Sequence, residues 1–199
     1  MSDTRNQILD AAEQQFADRG FYGVSLANIA ETLGVTKQAL LHHFGTKERL
    51  YGSVLDRISR DFLSALQAQH LQTLEPEEQF RSFLRDLLGR SSSDASRDRL
   101  LVRELLDNRE RAAEADAWYM RDFLEALTRV LKTCCGWQQA TDAEAFCAVY
   151  QLVGAASYYA ISEPTLTGLG GEKGYRAITR SFAPQFELLI DAVLEQRAP

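Results

Sequence analysis

The chain has 199 residues, 45% of them hydrophobic and 25% charged, a globular composition that excludes the low hydrophobicity or Pro/Gly excess of a disordered chain. Lys and Arg number 22 against 28 Asp and Glu, a formal net charge of −6, so the chain as a whole lacks the basic excess that marks nucleic-acid or anionic-membrane binders. Cys134, Cys135 and Cys147 are too few and too oddly numbered for a disulfide framework, and no charged-then-apolar leader opens the chain. The expectation is a cytoplasmic protein with buried, reduced thiols.

Taken in order, the elements read as helices. Thr4 and Gln7 form a T-x-x-Q box at a first helix carrying Ile8, Ala12 and Phe16, and Gly20 stops it. Ser25 caps a second helix through Leu26, Ile29, Ala30 and Leu33, ended by Gly34; Thr36 caps a short third one to about Phe44. After Gly45, Thr46 caps a fourth helix over about 47–68 with Tyr51, Leu55, Ile58, Phe62 and Leu66 on one stripe. Pro76 suits the first turn of a fifth helix carrying Phe80, Phe83, Leu84 and Leu87. Ser91–Ser96 reads as a loop, followed by a stripe through Leu101 and Leu105, then by a helix over about 113–135.

Thr141 and Glu144 form another capping box, opening a stretch with no charge for 18 residues, Ala145 to Ser162. That is the lower end of a membrane-span length, but its Gln, Ser and three Tyr favour a soluble helix buried on two sides. Thr165–Gly174 reads as a Gly-rich loop, and Pro184 should kink or divide the last helical region. The expectation is an all-α fold of about nine helices: an N-terminal three-helix domain (1–46) and a larger helical bundle (47–199), connected by the helix at about 47–68.

Ser25 to Lys47 has helix-turn-helix spacing: two short helices joined by Gly34-Val35-Thr36. Thr36, Lys37 and Gln38 lead the second helix, where Gln suits adenine, Lys suits guanine or phosphate, and Thr suits either. His42 and His43 lie about two turns on, within reach of the backbone, and Lys47 enters at a helix start, where free N–H groups favour phosphate. Residues 36–60 carry +3, leaving −9 for the rest of the chain, so the acidity lies away from this face.

The string Ile29-Ala30…Leu33-Gly34-Val35-Thr36-Lys37-Gln38-Ala39-Leu40-Leu41-His42-His43-Phe44…Lys47-Glu48…Leu50 resembles the TetR family of bacterial transcriptional regulators over about residues 4–60. The family usually has Tyr at the position of Leu41, a phosphate contact that Leu cannot make, and a small residue or Pro at Gln38. The resemblance implies a helix-turn-helix DNA-binding domain contacting operator DNA through Ser25, Thr36, Lys37, Gln38, His42, His43 and Lys47. It further implies an effector and dimerisation domain, a homodimer, and release of DNA by a small apolar or amphipathic ligand. No cofactor, catalytic residue or metal ligand is expected.

Candidate pocket residues are Phe83, Leu87, Leu101, Glu104, Leu105, Asn108, Tyr119, Phe123, Tyr150 and Tyr158. A subunit interface is expected at Ala148, Leu152, Ala155, Tyr159, Phe186 and Ile190. Two other readings remain: a helical enzyme or lipid-binding protein without DNA function, and a regulator whose thiols are the sensor. No G-x-S-x-G or metal-spaced cluster supports the enzyme.

Overall fold

The computed structural model describes residues 2–70, 75–111 and 119–195, with side chains over 4–68, 75–106 and 119–195. Among these the chain is all-α, in the order α1 (Ser2–Arg19), α2 (Leu26–Thr32), α3 (Lys37–Phe44), α4 (Lys47–His70), α5 (Pro76–Ser93), α6 (Ser96–Arg111), α7 (Arg121–Thr133), α8 (Asp142–Ile161) and α9 (Glu163–Glu195). Packing groups residues 1–60 with 96–120 in one unit, and 61–95 with 121–199 in another. The helix α4 thus contributes to both units, and α6, expected in the larger domain, packs with α1 in the first.

The first unit is built around Ile8, Phe16, Ile29, Leu40, Leu50 and Leu55, all without solvent exposure. Phe16 meets Tyr51 edge-on, with ring centroids 4.9 Å apart, the arrangement that aligns a ring's positive edge with its neighbour's negative face. The Tyr51 hydroxyl donates to Oε2 of buried Glu104 at 2.8 Å, answering part of the demand that a buried carboxylate makes. Arg57 of α4 reaches α1, pairing with Asp10 and Glu13 at 2.6 Å each. Arg103 donates to the carbonyls of Ala17 and Asp18, placing a cation on unpaired acceptors at the C-terminal end of α1.

In the second unit Phe123 lies against Phe62 and Phe83, with centroids 5.0 and 5.8 Å away. Ion pairs Arg81–Asp191 and Arg85–Glu187 join α5 to α9, and Trp137 donates its indole N–H to the carbonyl of Val193. The Thr141–Glu144 capping box forms as the spacing predicts. Buried Ala145, Val149, Leu152, Ala156 and Tyr159 turn one face of α8 inward. Among the described residues no single helix is long and apolar enough to cross a membrane; α8 and α9, bent by 61° at their junction, reach that length and composition only as a pair.

Four sequence expectations change. The helix α1 begins at Ser2, leaving Thr4 inside it rather than at its cap. The Ser91–Ser96 loop shrinks to two residues, because α5 continues to Ser93 with Ser91 buried and the Ser93 hydroxyl returned to the carbonyl of Arg90; Ser tolerates a helix when its hydroxyl bonds back to the preceding turn. The expected loop at Thr165–Gly174 is helical, interrupted at Gly171, whose φ of 63° and ψ of −179° suit glycine alone. That break replaces the one expected at Pro184, which lies within the helix with its ring exposed. The start of the helix expected over 113–135 falls outside the described residues; α7 occupies Arg121–Thr133.

The expectation of buried thiols holds at Cys134 alone, because Cys135 and Cys147 lie on the solvent side of their segments. Cys134 is fully buried, which pushes its thiol up to about 12, whereas Cys135 and Cys147 are exposed. Only thiolate attacks an alkylating agent. Iodoacetamide at mildly alkaline pH should therefore label Cys135 and Cys147 in the native protein and Cys134 only after unfolding, as read by mass spectrometry; early native labelling of Cys134 would contradict this packing.

Candidate nucleic-acid interface

Local hydrogen bonds shape the turn between α2 and α3. The Ser25 hydroxyl accepts from the Asn28 N–H, and the Asn28 side chain accepts from the Ser25 N–H, a reciprocal box that satisfies two donors at the start of α2. At the other end, the N–H of Val35 donates to Ala30 and that of Gly34 to Glu31. This double closure requires a left-handed residue, and Gly34 supplies it with φ of 64°. The chain then turns directly into α3, where the Thr36 hydroxyl accepts from the N–H of Ala39 at 3.2 Å.

The two faces of α3 have opposite roles. Leu40 and Phe44 are buried against the rest of the unit and hold the helix in place. Thr36, Lys37, Gln38 and His42 are exposed and His43 is half-buried. The leading end therefore presents a hydroxyl, an ammonium and a carboxamide on a rigid support, with α3 short enough to enter a major groove end-first. Leu41 is half-buried and brings no donor.

Two residues named for DNA contact have local roles. Ser25 holds the α2 cap described above. Lys47 donates to the carbonyls of Phe21 and Val24 at 3.0 Å each and lies 4.2 Å from the centre of the Phe21 ring. Two of its three N–H donors are spent fastening α4 to the turn before α2, a link of 26 and 23 residues that spacing along α4 does not reveal. Thr46 accepts from the N–H of Arg49, and with Lys47 so engaged Arg49 is the exposed cation in this turn.

The residues expected to form a ligand pocket divide between the two units. Leu101, Glu104, Leu105 and Tyr119 belong to the first unit, and Phe83, Leu87, Phe123, Tyr150 and Tyr158 to the second. Phe83 and Phe123 fill core space against each other. Leu105, Tyr150 and Tyr158 are 47%, 44% and 74% exposed, too open to line an enclosed cavity. The side chain of Asn108 lies outside the described residues. Instead, a groove of about 550 Å³ opens in the second unit, lined by Leu66, Gln79, Ala126, Arg129, Val130 and Thr133 among others. The helical spacing of 126, 129–130 and 133 was the available signal, masked by the stronger inner stripe of Phe123 and Leu127.

The expected subunit face also needs correction. Ala148, Leu152, Tyr159, Phe186 and Ile190 are core residues of the chain itself, and Ala155 is half-buried. A helix apolar all round does not disclose which side faces its own domain. The side left open carries Tyr150, Gly154 and Tyr158 of α8, with Leu188 and Leu189 exposed on α9. Among the described residues no group of three or more His, Cys, Asp or Glu could hold a metal ion.

Residues 8–54, which span this interface, match the model of bacterial regulatory proteins, tetR family. The chain is 35% identical over 106 residues to the HTH-type transcriptional regulator RutR of Escherichia coli K12, covering 53% of this chain and 50% of that protein. It thus spans about half the length of the curated relatives it matches. A TetR-family transcriptional regulator from Pectobacterium atrosepticum shares its fold with a TM-score of 0.63 and 24% identity over 99% of this chain and 97% of that one. The fatty acid degradation regulator FadR from Bacillus halodurans does so with a TM-score of 0.72 and 16% identity, over 98% and 97%.

Proposed function

We propose that the chain is a member of the TetR family of bacterial regulatory proteins, whose model residues 8–54 match, and a cytoplasmic transcriptional regulator that docks α3 in the major groove of an operator. Its relatives and fold are those of regulators rather than enzymes. One observation supports the reading most: Thr36, Lys37 and Gln38 stand exposed at the leading end of a helix that Leu40 and Phe44 lock in place further along. Residues 1–46 act as the DNA-binding domain and 47–199 as the effector and dimerisation domain.

Two copies pair through the open apolar side of α8 and α9 around Tyr150, Tyr158, Leu188 and Leu189, and read a pseudo-palindrome with half-sites about 34–36 Å apart or a multiple of it. The protein represses by occupying its site. A small apolar or amphipathic effector, held in the second unit, favours a conformation of unsuitable half-site spacing, and α4 carries the change because its residues belong to both units. The experiment is fluorescence anisotropy with palindromic sites from the protein's own promoter region and with random duplex, alongside sedimentation to establish the dimer. A salt-sensitive preference of about 10³-fold or more is expected; equal binding to both duplexes overturns the reading.

A further inference from the structure

The groove of about 550 Å³ in the second unit is built from α4, α5 and α7, and its volume falls within the roughly 300–1,000 Å³ of small-molecule sites. Leu66 and Gln79 are its buried lining, and Ala126 and Val130, one turn apart on α7, are half-buried beside them. An alkyl chain laid along Leu66, Ala126 and Val130 would remove apolar surface from water on both sides of the contact.

The polar groups of the lining are unequal. Thr133 spends its hydroxyl hydrogen on the carbonyl of Val130 at 2.7 Å, so it offers only lone pairs, which oppose an anion. Gln67 has an exposed carboxamide that makes no hydrogen bond among the described residues. Arg129 is the charged group among the described residues of the lining. The carboxylate beside it, Glu125, lies 3.8 Å away, and the two side chains are 70% and 53% exposed. That separation exceeds a hydrogen bond, and so open an ion pair contributes little. The guanidinium therefore keeps its forked donors for a second acceptor, and a carboxylate matches that fork with two oxygens at once. Residues 126, 129, 130 and 133 follow helical spacing, which puts the cation and the apolar wall on one face of α7.

We propose that this groove binds a single-chain anionic amphiphile, with its carboxylate on Arg129 and its alkyl chain along Leu66, Ala126 and Val130. A cationic amphiphile of the same length meets a like charge at the head position, and a neutral alcohol lacks the charge-assisted bond. The bound chain touches Leu66 of α4, the helix that contributes to both units. Its role as the effector of DNA release rests on the regulator reading; its binding does not.

The test uses the full chain and follows the methyl signals of Leu66, Ala126 and Val130 by NMR. Decanoate, 1-decanol and decyltrimethylammonium are titrated below their micelle-forming concentrations. Decanoate should shift all three residues saturably, with the cationic probe at least about tenfold weaker and octanoate about tenfold weaker than decanoate, each methylene being worth up to about fourfold. Arg129→Gln should weaken decanoate about tenfold and leave decanol within about twofold. Glu125→Gln, which removes the competing carboxylate, should tighten decanoate about twofold. Both positions are exposed, and an unchanged circular dichroism melt verifies that each variant is folded. Equal affinity for the anionic and cationic probes, indifference of decanoate to Arg129→Gln, or unshifted methyl signals overturns the proposal. In a second arm decanoate is added to the complex with specific duplex. Release supports the groove as the effector site; binding to the groove without release supports the amphiphile site and removes only its effector role. If the wild-type chain binds no duplex, the regulator reading falls, and the methyl titration decides for or against the groove.

Discussion

Replacing Gln38 by alanine is expected to cost about 1–3 kcal/mol of base discrimination, roughly 5- to 150-fold, at one position of each half-site. The side chain is exposed in the first turn of α3, so its removal disturbs no packing, and stability should change by no more than about 0.5 kcal/mol. A carboxamide presents a donor and an acceptor together, the pair that adenine offers in reverse along its major-groove edge. Selection of duplexes from a random pool by the wild type and by Gln38→Ala should yield logos that differ at that position. Affinity for random duplex, set by phosphate contacts, should stay the same. Identical logos would remove Gln38 from the reading surface and shift attention to Lys37.

Replacing Phe123 by alanine should be the most damaging single change to the second unit, at about 3–5 kcal/mol. Its ring has no exposure and is flanked by Phe62 and Phe83 from two other helices, so neighbours that are themselves large and packed cannot close the hole. Urea denaturation should show the midpoint falling, with the slope unchanged if the transition remains cooperative. Leu169→Ala is the matched control: that leucine is 80% exposed, and its loss should change the chain's stability by less than about 0.5 kcal/mol. A loss below about 1 kcal/mol at Phe123 would mean that the aromatic cluster is looser than its 5.0 and 5.8 Å spacings indicate.

Much of the fold was legible because helix ends are written locally. Ser25, Thr36, Thr46 and Thr141 each accept from an N–H three residues on, and Gly34 closes α2 through bonds that span five residues or fewer. Such interactions depend on neighbouring residues alone, so pattern and spacing suffice to find them. The exposed end of α3 was legible for the same reason: Leu40 and Phe44, four apart, share the buried face, which turns Gln38 outward, and Lys37 is exposed as the first residue of the helix. The Gly-rich stretch misled because helix propensity is a weak preference: of its glycines only Gly171 adopts a positive φ, and the others continue the helix.

By itself, then, the sequence determined an all-α fold, the position of the helix-turn-helix spacing and the residues that head its second helix. Only the tertiary structure decided which apolar side of α8 turns inward, that Lys47 is occupied by the carbonyls of Phe21 and Val24, and that Leu66 and Arg129 share a groove. The physical reason is separation along the chain. A cap is settled within one turn, whereas an ammonium, a guanidinium or an apolar face takes whichever partner the packing of distant helices brings to it.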